Sequence, residues 1–380
     1  MILALVLLLG LASCDNDKSI RVEDNILIIE EGVEQLARTS YNASIQDVTD
    51  VYLPKSLKRL DNEAFFNLGA EVRNIYYAGD LASWNNISFG SNYANPMGHG
   101  WLNEKLSFYY MKDGDYTRAD DLILPEGITA INEYAFNGFR TNRLVIPKST
   151  VEIKKYAFLG ASFNEIVMPT DGRLKRIERS AFEHITYTGK ELTIPNTVEY
   201  IGREAFAISG KVDILRLPYI PNLSIDMPFL TFIGAYQFKN VYITKGIEIG
   251  LLAGPAFNGN LIFCDSVERL LPNAIHGAFV ETIYFSPNSR LTEICDEAMA
   301  GLPLVFYIFL PAGLSKVHED AFRGSFIANR PMSHAKAEEE LLVDKVKISE
   351  GLYSQFLIND FEKGWMIKNN KLYVYGSAQD

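Results

Sequence analysis

Residues 192–206 read LTIPNTVEYIGREAF, and this stretch decides the fold. Two apolar strand positions precede a proline, apolar residues stand three and six positions after it, and an Ala-Phe pair closes the phrase. The same step from proline to phenylalanine recurs at 54–65, 125–136, 147–158 and 311–322. Looser copies end at Phe182, Phe229, Phe257, Phe279 and Met299, and an eroded first copy runs from Glu30 through Val33 and Leu36 to Ser40-Tyr41.

The spacing of these copies predicts the architecture. The closures at Phe136, Phe158, Phe182 and Phe206 lie 22, 24 and 24 residues apart. A fixed period of this size is the signature of a solenoid, in which each unit buries its apolar side against its neighbours. We therefore predict a repeat solenoid of mostly short parallel β-strands joined by turns, with few short helices.

Each copy contains the residues that are expected to shape one coil of the solenoid. Leu144 and Ile146 alternate as a strand with one face inward, and Pro147 ends that strand because it has no N–H for the sheet. Val151 and Ile153 are then expected to turn inward and form the opposite wall. In the closing pair, Ala permits close backbone approach while Phe fills the gap between coils.

The phrase resembles the leucine-rich repeat of the BspA-like type, L-x-I-P-x-x-V-x-x-I-G-x-x-A-F, of bacterial and protist surface proteins. Several copies match that pattern at five or six positions, and the resemblance covers about residues 26–330. It implies a leucine-rich-repeat solenoid over this range. It also implies a role in adhesion to host or matrix proteins, or to other cells.

The N-terminus differs from the rest of the chain. Residues 2–9 are an unbroken apolar run, too short to span a bilayer, and residues 11–14 read LASC. This resembles the lipobox of bacterial lipoproteins and implies a signal peptide at 1–13, lipidation of Cys14 and a tether over 14–25. Acidic residues after Cys14 resemble export signals to the outer face of the Bacteroides outer membrane. The alternative is a buried N-terminal strand with an incidental cysteine.

Charge and cysteine content restrict the function classes. The net charge of −11, with lysines and arginines scattered among acids, argues against a nucleic-acid partner. Cys264 and Cys295 occupy different places in the repeat, so two buried free thiols are expected over a disulfide.

The repeat is interrupted by an aromatic-rich insert at about residues 72–118. Exposed aromatic rings stack on sugar rings, which makes Trp84, Trp101 and Tyr93 candidate ligand residues. The alternative is that the insert packs as a modified coil, because buried aromatic side chains contribute the largest stabilisation.

After Phe322 the phrase is not seen again. Residues 331–380 contain apolar-alternating segments at 343–348 and 371–375, and we interpret them as a C-terminal cap that covers the last sheet edge. A separate binding module is the alternative.

Motifs for chemistry are missing from the sequence. The five histidines show no metal-ligand spacing, and His318-Glu319-Asp320 falls at outward turn positions of the repeat. No hydrolase, phosphate-loop or paired Cys-x-x-Cys motif occurs. We therefore predict no enzyme activity, no catalytic residue, no metal and no cofactor.

These observations favour a lipid-anchored outer membrane protein that is exposed at the cell surface and holds an extended repeat surface to a macromolecular partner. The expected partner is a host or matrix protein or another cell-surface macromolecule, with polysaccharide as a further candidate. One alternative function is glycan capture for nutrient uptake through the aromatic insert. Another is a purely architectural envelope protein.

Overall fold

The computed structural model describes residues 19–37, 45, 47–99, 105–209, 212–221, 238–252, 259–278, 280–286, 288–302, 305, 307–311, 313–318, 320–323 and 325, with the backbone of 365–368 and 371–374. The chain forms two compact units, Met1–Ala119 and Asp120–Asp380, so a unit boundary lies inside the range predicted as one solenoid. In the described part of the chain, no helix is long and apolar enough to cross a bilayer. The predicted signal peptide and Cys14 lie outside the described residues.

The first unit consists mainly of short strands. They are β1 (Ile20–Glu23), β2 (Ile26–Ile29), β3 (Gln35–Leu36), β4 (Asp50–Leu53), β5 (Arg59–Leu60), β6 (Asn74–Tyr77), β7 (Ser88–Phe89), β8 (Ser107–Lys112) and β9 (Asp115–Arg118). A short helix, α1 (Leu81–Asn85), follows β6, and a 3-10 turn spans Pro96–His99.

Two sheets run along this unit, with the orders β1-β2-β4-β6-β8-β9 and β3-β5-β7. Strands β2, β4, β6 and β8 pair in parallel, as the repeat predicts, whereas β1 and β9 pair antiparallel with β2 and β8. Asp24 and Asn25 both have positive φ (49° and 63°), which suits the tight turn of the β1–β2 hairpin. The predicted tether over 14–25 is therefore wrong from Ile20 onward.

The second unit repeats the same elements. Its strands are β10 (Leu122–Ile123), β11 (Ala130–Ile131), β12 (Arg140–Val145), β13 (Glu152–Ile153), β14 (Ser162–Val167), β15 (Arg176–Ile177), β16 (Ile185–Tyr187), β17 (Glu191–Thr193), β18 (Tyr200–Ile201), β19 (Ile208–Ser209), β20 (Ile214–Leu217), β21 (Asn240–Ile243), β22 (Glu248–Ile249), β23 (Gly259–Phe263), β24 (Arg269–Leu270), β25 (Val280–Phe285), β26 (Glu293–Ile294), β27 (Tyr307–Phe309), β28 (Lys316–Val317), β29 (Trp365–Lys368) and β30 (Lys371–Val374).

Strands β10–β28 form parallel sheets with the orders β10-β12-β14-β16-β19, β11-β13-β15-β18, β17-β20-β21-β23-β25-β27 and β22-β24-β26-β28. Equivalent residues of successive copies pair in register, as when Ile153 lies opposite Ile177 and Ile177 opposite Ile201. The predicted solenoid of short parallel strands is therefore confirmed. Strands β29 and β30 form an antiparallel hairpin within the segment predicted as a cap, and the other predicted strand there, 343–348, lies outside the described residues.

The core of the solenoid consists of the repeated apolar positions. Ala157, Phe158, Ala181 and Phe182 are all fully buried, and the N–H of Phe158 donates to the carbonyl of Ala181 at 2.8 Å. Because Ala has only a methyl group, the backbones of adjacent coils can approach to this hydrogen bond. The predicted role of the closing pair is confirmed.

Two predicted core positions were wrong. Thr150, three residues after Pro147, is buried in place of Val151, and its hydroxyl donates to the carbonyl of Ile128 at 2.9 Å. In the copy assigned to Phe279, the closing pair is Ala274-Ile275, and an aliphatic side chain fills the place of the phenylalanine. Phe229, Phe257 and Phe279 themselves lie outside the described residues.

Both remaining cysteines are free, as predicted, but only Cys295 is buried, whereas Cys264 is half-buried. Cys295 directly follows β26, where burial raises the pKa of its thiol and the nearby carboxylate of Glu293 adds to that rise.

Candidate functional site

The first unit presents a row of tyrosines on the outward face of its larger sheet. Side chains alternate between the two faces of a strand, so Val51 and Ile75 are buried while Tyr52 and Tyr76 point outward and are half-buried. Parallel pairing places Tyr52 opposite Tyr76 and Tyr76 opposite Tyr109. The three residues therefore form one column across β4, β6 and β8, which we call the tyrosine ladder.

The rings of the ladder stack on one another. The ring centroids of Tyr52 and Tyr76 lie 4.6 Å apart with planes 9° apart, and those of Tyr76 and Tyr109 lie 4.7 Å apart with planes 19° apart. These distances match the spacing of about 4.8 Å between paired strands. Each such contact stabilises the sheet by roughly 0.5–1.5 kcal/mol beyond burial alone.

Tyr116 on the edge strand β9 packs against the ladder. Its ring meets those of Tyr52 and Tyr76 edge to face, with centroid distances of 6.4 and 5.4 Å. Burial, together with the neighbouring tyrosines and Asp50, raises the pKa of Tyr76 to about 12. Its hydroxyl therefore stays neutral at physiological pH and can both donate and accept a hydrogen bond.

Polar and apolar residues surround the ladder. Asn74 donates from Nδ2 to Oδ1 of Asp50 at 2.8 Å, in the neighbouring outward column of the same strands. Ile28 of β2 lies opposite Tyr52 and continues the ladder as an apolar residue. The surface thus combines large rigid rings with fixed hydrogen-bonding groups.

The aromatic residues predicted as ligand contacts lie elsewhere. Trp84 is 0% exposed and packs among Tyr77, Phe89 and Phe108, so it cannot stack on a ligand, and the ligand hypothesis is wrong for this residue. Tyr93 is half-buried against Phe66, with ring centroids 5.6 Å apart. Trp101 lies outside the described residues. The described part of the insert therefore packs as a modified coil around Trp84, the alternative that burial favours.

The ladder was not predicted, although the sequence contains a signal for it. Tyr52, Tyr76 and Tyr109 stand at outward positions of strands that pair in register, and a column is visible once the coils are aligned. Tyr116 gives no such signal, because it reaches the ladder only through the β8–β9 hairpin, which the repeat does not predict.

The second unit presents its own outward aromatic residues. The guanidinium carbon of Arg216 lies 4.1 Å from the ring centroid of Tyr242, a cation–π contact between β20 and β21. Farther along the same sheet, the ring centroids of Tyr284 and Phe309 lie 5.6 Å apart. All four side chains are half-buried.

A column of alternating charge also runs through the second unit. Arg269 lies between Glu248 and Glu293, with nitrogen–oxygen distances of 2.7 and 2.8 Å, and Lys316 lies 2.6 Å from Glu293. Parallel pairing of β22, β24, β26 and β28 sets this order. Among the described residues, the group that combines metal-ligating side chains within reach of one another is Glu293, Cys295 and His318, at the end of this column.

The comparison with family models supports the repeat. Residues 115–243 match the BspA type leucine rich repeat region in six copies. This range includes the phrase at 192–206, the copies at 125–136 and 147–158, and the looser copies that end at Phe182 and Phe229. Among curated proteins, no significant match to this chain is found.

Two solved structures resemble the chain weakly. One is a leucine rich cell surface protein from Faecalibacterium prausnitzii, with 14% sequence identity and a TM-score of 0.31, covering 87% of this chain and 98% of that one. The other is the pneumococcal vaccine antigen PcpA, with 15% identity and a TM-score of 0.24, covering 92% of this chain and 99% of that one. Similarity at this level carries no functional argument.

Proposed function

We propose that this protein is a lipid-anchored cell-surface binding protein that presents the tyrosine ladder to a protein partner, such as a host or matrix protein or a protein on another cell. The observation that carries the proposal is the column of half-buried rings on an outward sheet face. Tyrosines already held by stacking lose little conformational freedom on binding. Tyrosine is also enriched among the residues that dominate binding energy at protein interfaces.

Ring geometry favours a protein partner over a glycan. A sugar stacks on the face of an aromatic ring, but both faces of Tyr76 are covered, by Tyr52 on one side and Tyr109 on the other. At its centre the ladder therefore offers a ring edge and a hydroxyl group, which suit the mixed polar and apolar surface of a protein. Trp84 is the principal ring of the glycan-capture alternative, and it is buried, so it cannot contact a sugar.

The proposed location rests on the sequence. Residues 2–14 have the pattern of a lipoprotein signal ending at Cys14, and acidic residues follow it. Lipidation there would hold the chain on the outer membrane and leave the repeats accessible at the cell surface. The proposal includes no catalysis, cofactor or nucleic-acid partner.

Binding of the purified full chain to a panel of matrix proteins and polysaccharides tests the proposed partner class. We expect saturable binding to at least one protein and none to the polysaccharides. Binding to polysaccharides alone would favour glycan capture, and binding to neither class would contradict the proposal.

Protease treatment of intact cells, combined with mass spectrometry of the mature N-terminus, tests the location. We expect an acylated Cys14 at the N-terminus and cleavage of the repeats on unbroken cells. An unmodified N-terminus upstream of Cys14, or full protection until the cells are lysed, would contradict it.

A further inference from the structure

Two neighbouring coils of the second unit bring a glutamate, a cysteine and a histidine together. Pairing of β26 with β28 places Glu293 opposite Lys316 and Ile294 opposite Val317, so Cys295 and His318 follow side by side. The Nε2 atom of His318 lies 2.9 Å from Oε1 of Glu293. One ligand atom from each of the three residues lies within 4.8 Å of the other two.

This combination is particular to these two coils. Cys295 and His318 directly follow the buried residue of the short strand. The same position in other copies is held by Lys154, Glu178, Gly202 and Leu271. None of those residues offers a thiolate or an imidazole, so the repeat itself does not require the pair.

We propose that Glu293, Cys295 and His318 form a Zn²⁺ site. Thiolate sulfur, imidazole nitrogen and carboxylate oxygen are the donors that Zn²⁺ takes in proteins, and a thiolate ligand disfavours Mg²⁺ and Ca²⁺. Donors around a tetrahedral Zn²⁺ lie roughly 3.5 Å apart, a spacing that small side-chain rotations reach from the present positions. Three protein ligands leave the fourth position to water.

Lys316 and Arg269, the two cations beside Glu293, are expected to respond differently when a metal binds. Lys316 occupies Oε1 of Glu293 at 2.6 Å, and its side chain is 60% exposed, so it can move into solvent when the metal arrives. Arg269 binds the other carboxylate oxygen, Oε2, at 2.8 Å and donates to Sγ of Cys295 at 3.6 Å. Arg269 can therefore stay and orient two of the ligands, as outer groups commonly do around protein metals.

Metal binding would replace the contacts that these side chains make now. Oε1 of Glu293 lies 2.6 Å from Nζ of Lys316 and 2.9 Å from Nε2 of His318. Zn²⁺ binding therefore displaces the Lys316 ammonium and releases the thiol proton of Cys295 to solvent, and His318 binds through Nε2 as the neutral ring with its proton on Nδ1.

Titration of the metal-free full chain with Co²⁺ and then Zn²⁺ tests the site. A tag-free chain with Cys14→Ser removes the N-terminal thiol from the measurement. We expect one Co²⁺ per chain, a thiolate-to-cobalt charge-transfer band in the near ultraviolet, and loss of that band when Zn²⁺ displaces Co²⁺. No saturable binding, or binding without the band, would overturn the proposal and leave the cluster as an ion-pair network.

Substitutions test which side chains bind the metal. Cys295→Ser should abolish the band and His318→Asn should weaken binding by at least about tenfold, while Cys264→Ser serves as the matched cysteine control and should behave as the parent chain. Lys316→Gln should bind Zn²⁺ more tightly, because it removes the competing ammonium. A band that survives Cys295→Ser, or weaker binding in Lys316→Gln, would contradict the assignment. Lys316 is exposed, so that variant is informative even if Cys295→Ser fails to fold.

Discussion

The rings of Phe158 and Phe182 stack inside the second unit, with centroids 4.8 Å apart and planes 11° apart. The column continues to Phe136 and Phe206, at 5.7 and 5.1 Å from their neighbours. Each phenylalanine therefore fills the core of its own coil and also packs against the phenylalanine of the next coil. Such a column makes the stability of one coil depend on its neighbours, as expected of a solenoid.

Removal of one ring from this column should lower the free energy of unfolding. We expect Phe182→Ala to lower the free energy of unfolding by about 3–5 kcal/mol, because a fully buried ring is lost and the stacked coils cannot collapse into the cavity. Chemical denaturation followed by circular dichroism measures the change. Ile247→Ala is the matched control, since Ile247 is 60% exposed in the same unit, and a comparable loss there would contradict the account.

The residue before the closing alanine has a left-handed backbone in several coils. Values of φ are 57° at Tyr134, 58° at Tyr156, 56° at Ser180 and 59° at Glu204. Side chains other than glycine are strained in this region. The turn that leads into the Ala-Phe pair thus carries the same strain in successive copies.

Ser180 is the position at which this strain is most readily relieved. It is fully buried, and its hydroxyl has no hydrogen-bond partner. We expect Ser180→Gly to raise the free energy of unfolding by about 1 kcal/mol, because it removes both the strained Cβ and the unsatisfied hydroxyl. Ser180→Ala removes only the hydroxyl and should stabilise less. Thermal unfolding of the three proteins tests this order, and a less stable glycine variant would refute it.

Close backbone contact between two coils explains why residue 202 is a glycine. A Cβ on Gly202 would lie 2.4 Å from the backbone nitrogen of Arg179, so two coils would have to separate. We expect Gly202→Ala to lower the free energy of unfolding by about 1–3 kcal/mol. A Cβ on Gly313 would have its nearest neighbouring atoms 4.0 Å away, so Gly313→Ala should be nearly neutral. Equal effects in denaturation experiments would contradict the packing argument.

Asp80 should make stability depend on pH in the first unit. Its Oδ1 accepts a hydrogen bond from the backbone N–H of Ser83 at 2.7 Å and caps α1. This bond, with one from the Ser83 hydroxyl, lowers the pKa of Asp80. A carboxylate with a lowered folded pKa stabilises the protein above its unfolded pKa, and the stabilisation is lost as the pH falls through the folded value.

At neutral pH we therefore expect Asp80→Ala to cost about 1 kcal/mol of unfolding free energy, the usual value of a helix cap. The difference from the parent protein should shrink in acid as Asp80 becomes protonated. Urea denaturation from pH 7 down to pH 3 measures it, with Glu71→Ala as a control at an exposed carboxylate of the same unit. A difference that is constant with pH would exclude the charged cap as its cause.

The coil could be predicted from the sequence because its determinants are local. Proline, the two apolar positions after it and the Ala-Phe pair recur at fixed offsets, and the buried residues follow them. Thr150 was missed because its methyl is buried while its hydroxyl is satisfied by the preceding coil, which a polarity pattern does not show. Ile275 was missed because the size of the side chain, rather than aromaticity, is what the closing position requires.

The candidate site was less predictable because it depends on register between distant residues. Trp84 was a candidate ligand residue on residue type alone, but its side chain is buried in a modified coil and cannot contact a ligand. Tyr52 and Tyr109 stand far apart in sequence and meet only through Tyr76, when three parallel strands align. Cys295 and His318 likewise become neighbours only through the pairing of β26 and β28.

The most direct test of the proposed function is the affinity of ladder variants for a protein that binds the wild-type chain. We expect Tyr76→Ser to weaken binding at least about tenfold, or about 1.4 kcal/mol, with the fold retained by circular dichroism. Tyr156→Ser is the matched control, because Tyr156 also stacks on a tyrosine, Tyr134, at 5.1 Å but lies in a turn of the second unit. Loss with Tyr76→Ser and wild-type affinity with Tyr156→Ser is the predicted result. Unchanged affinity in a folded Tyr76→Ser protein would contradict the ladder as the binding surface.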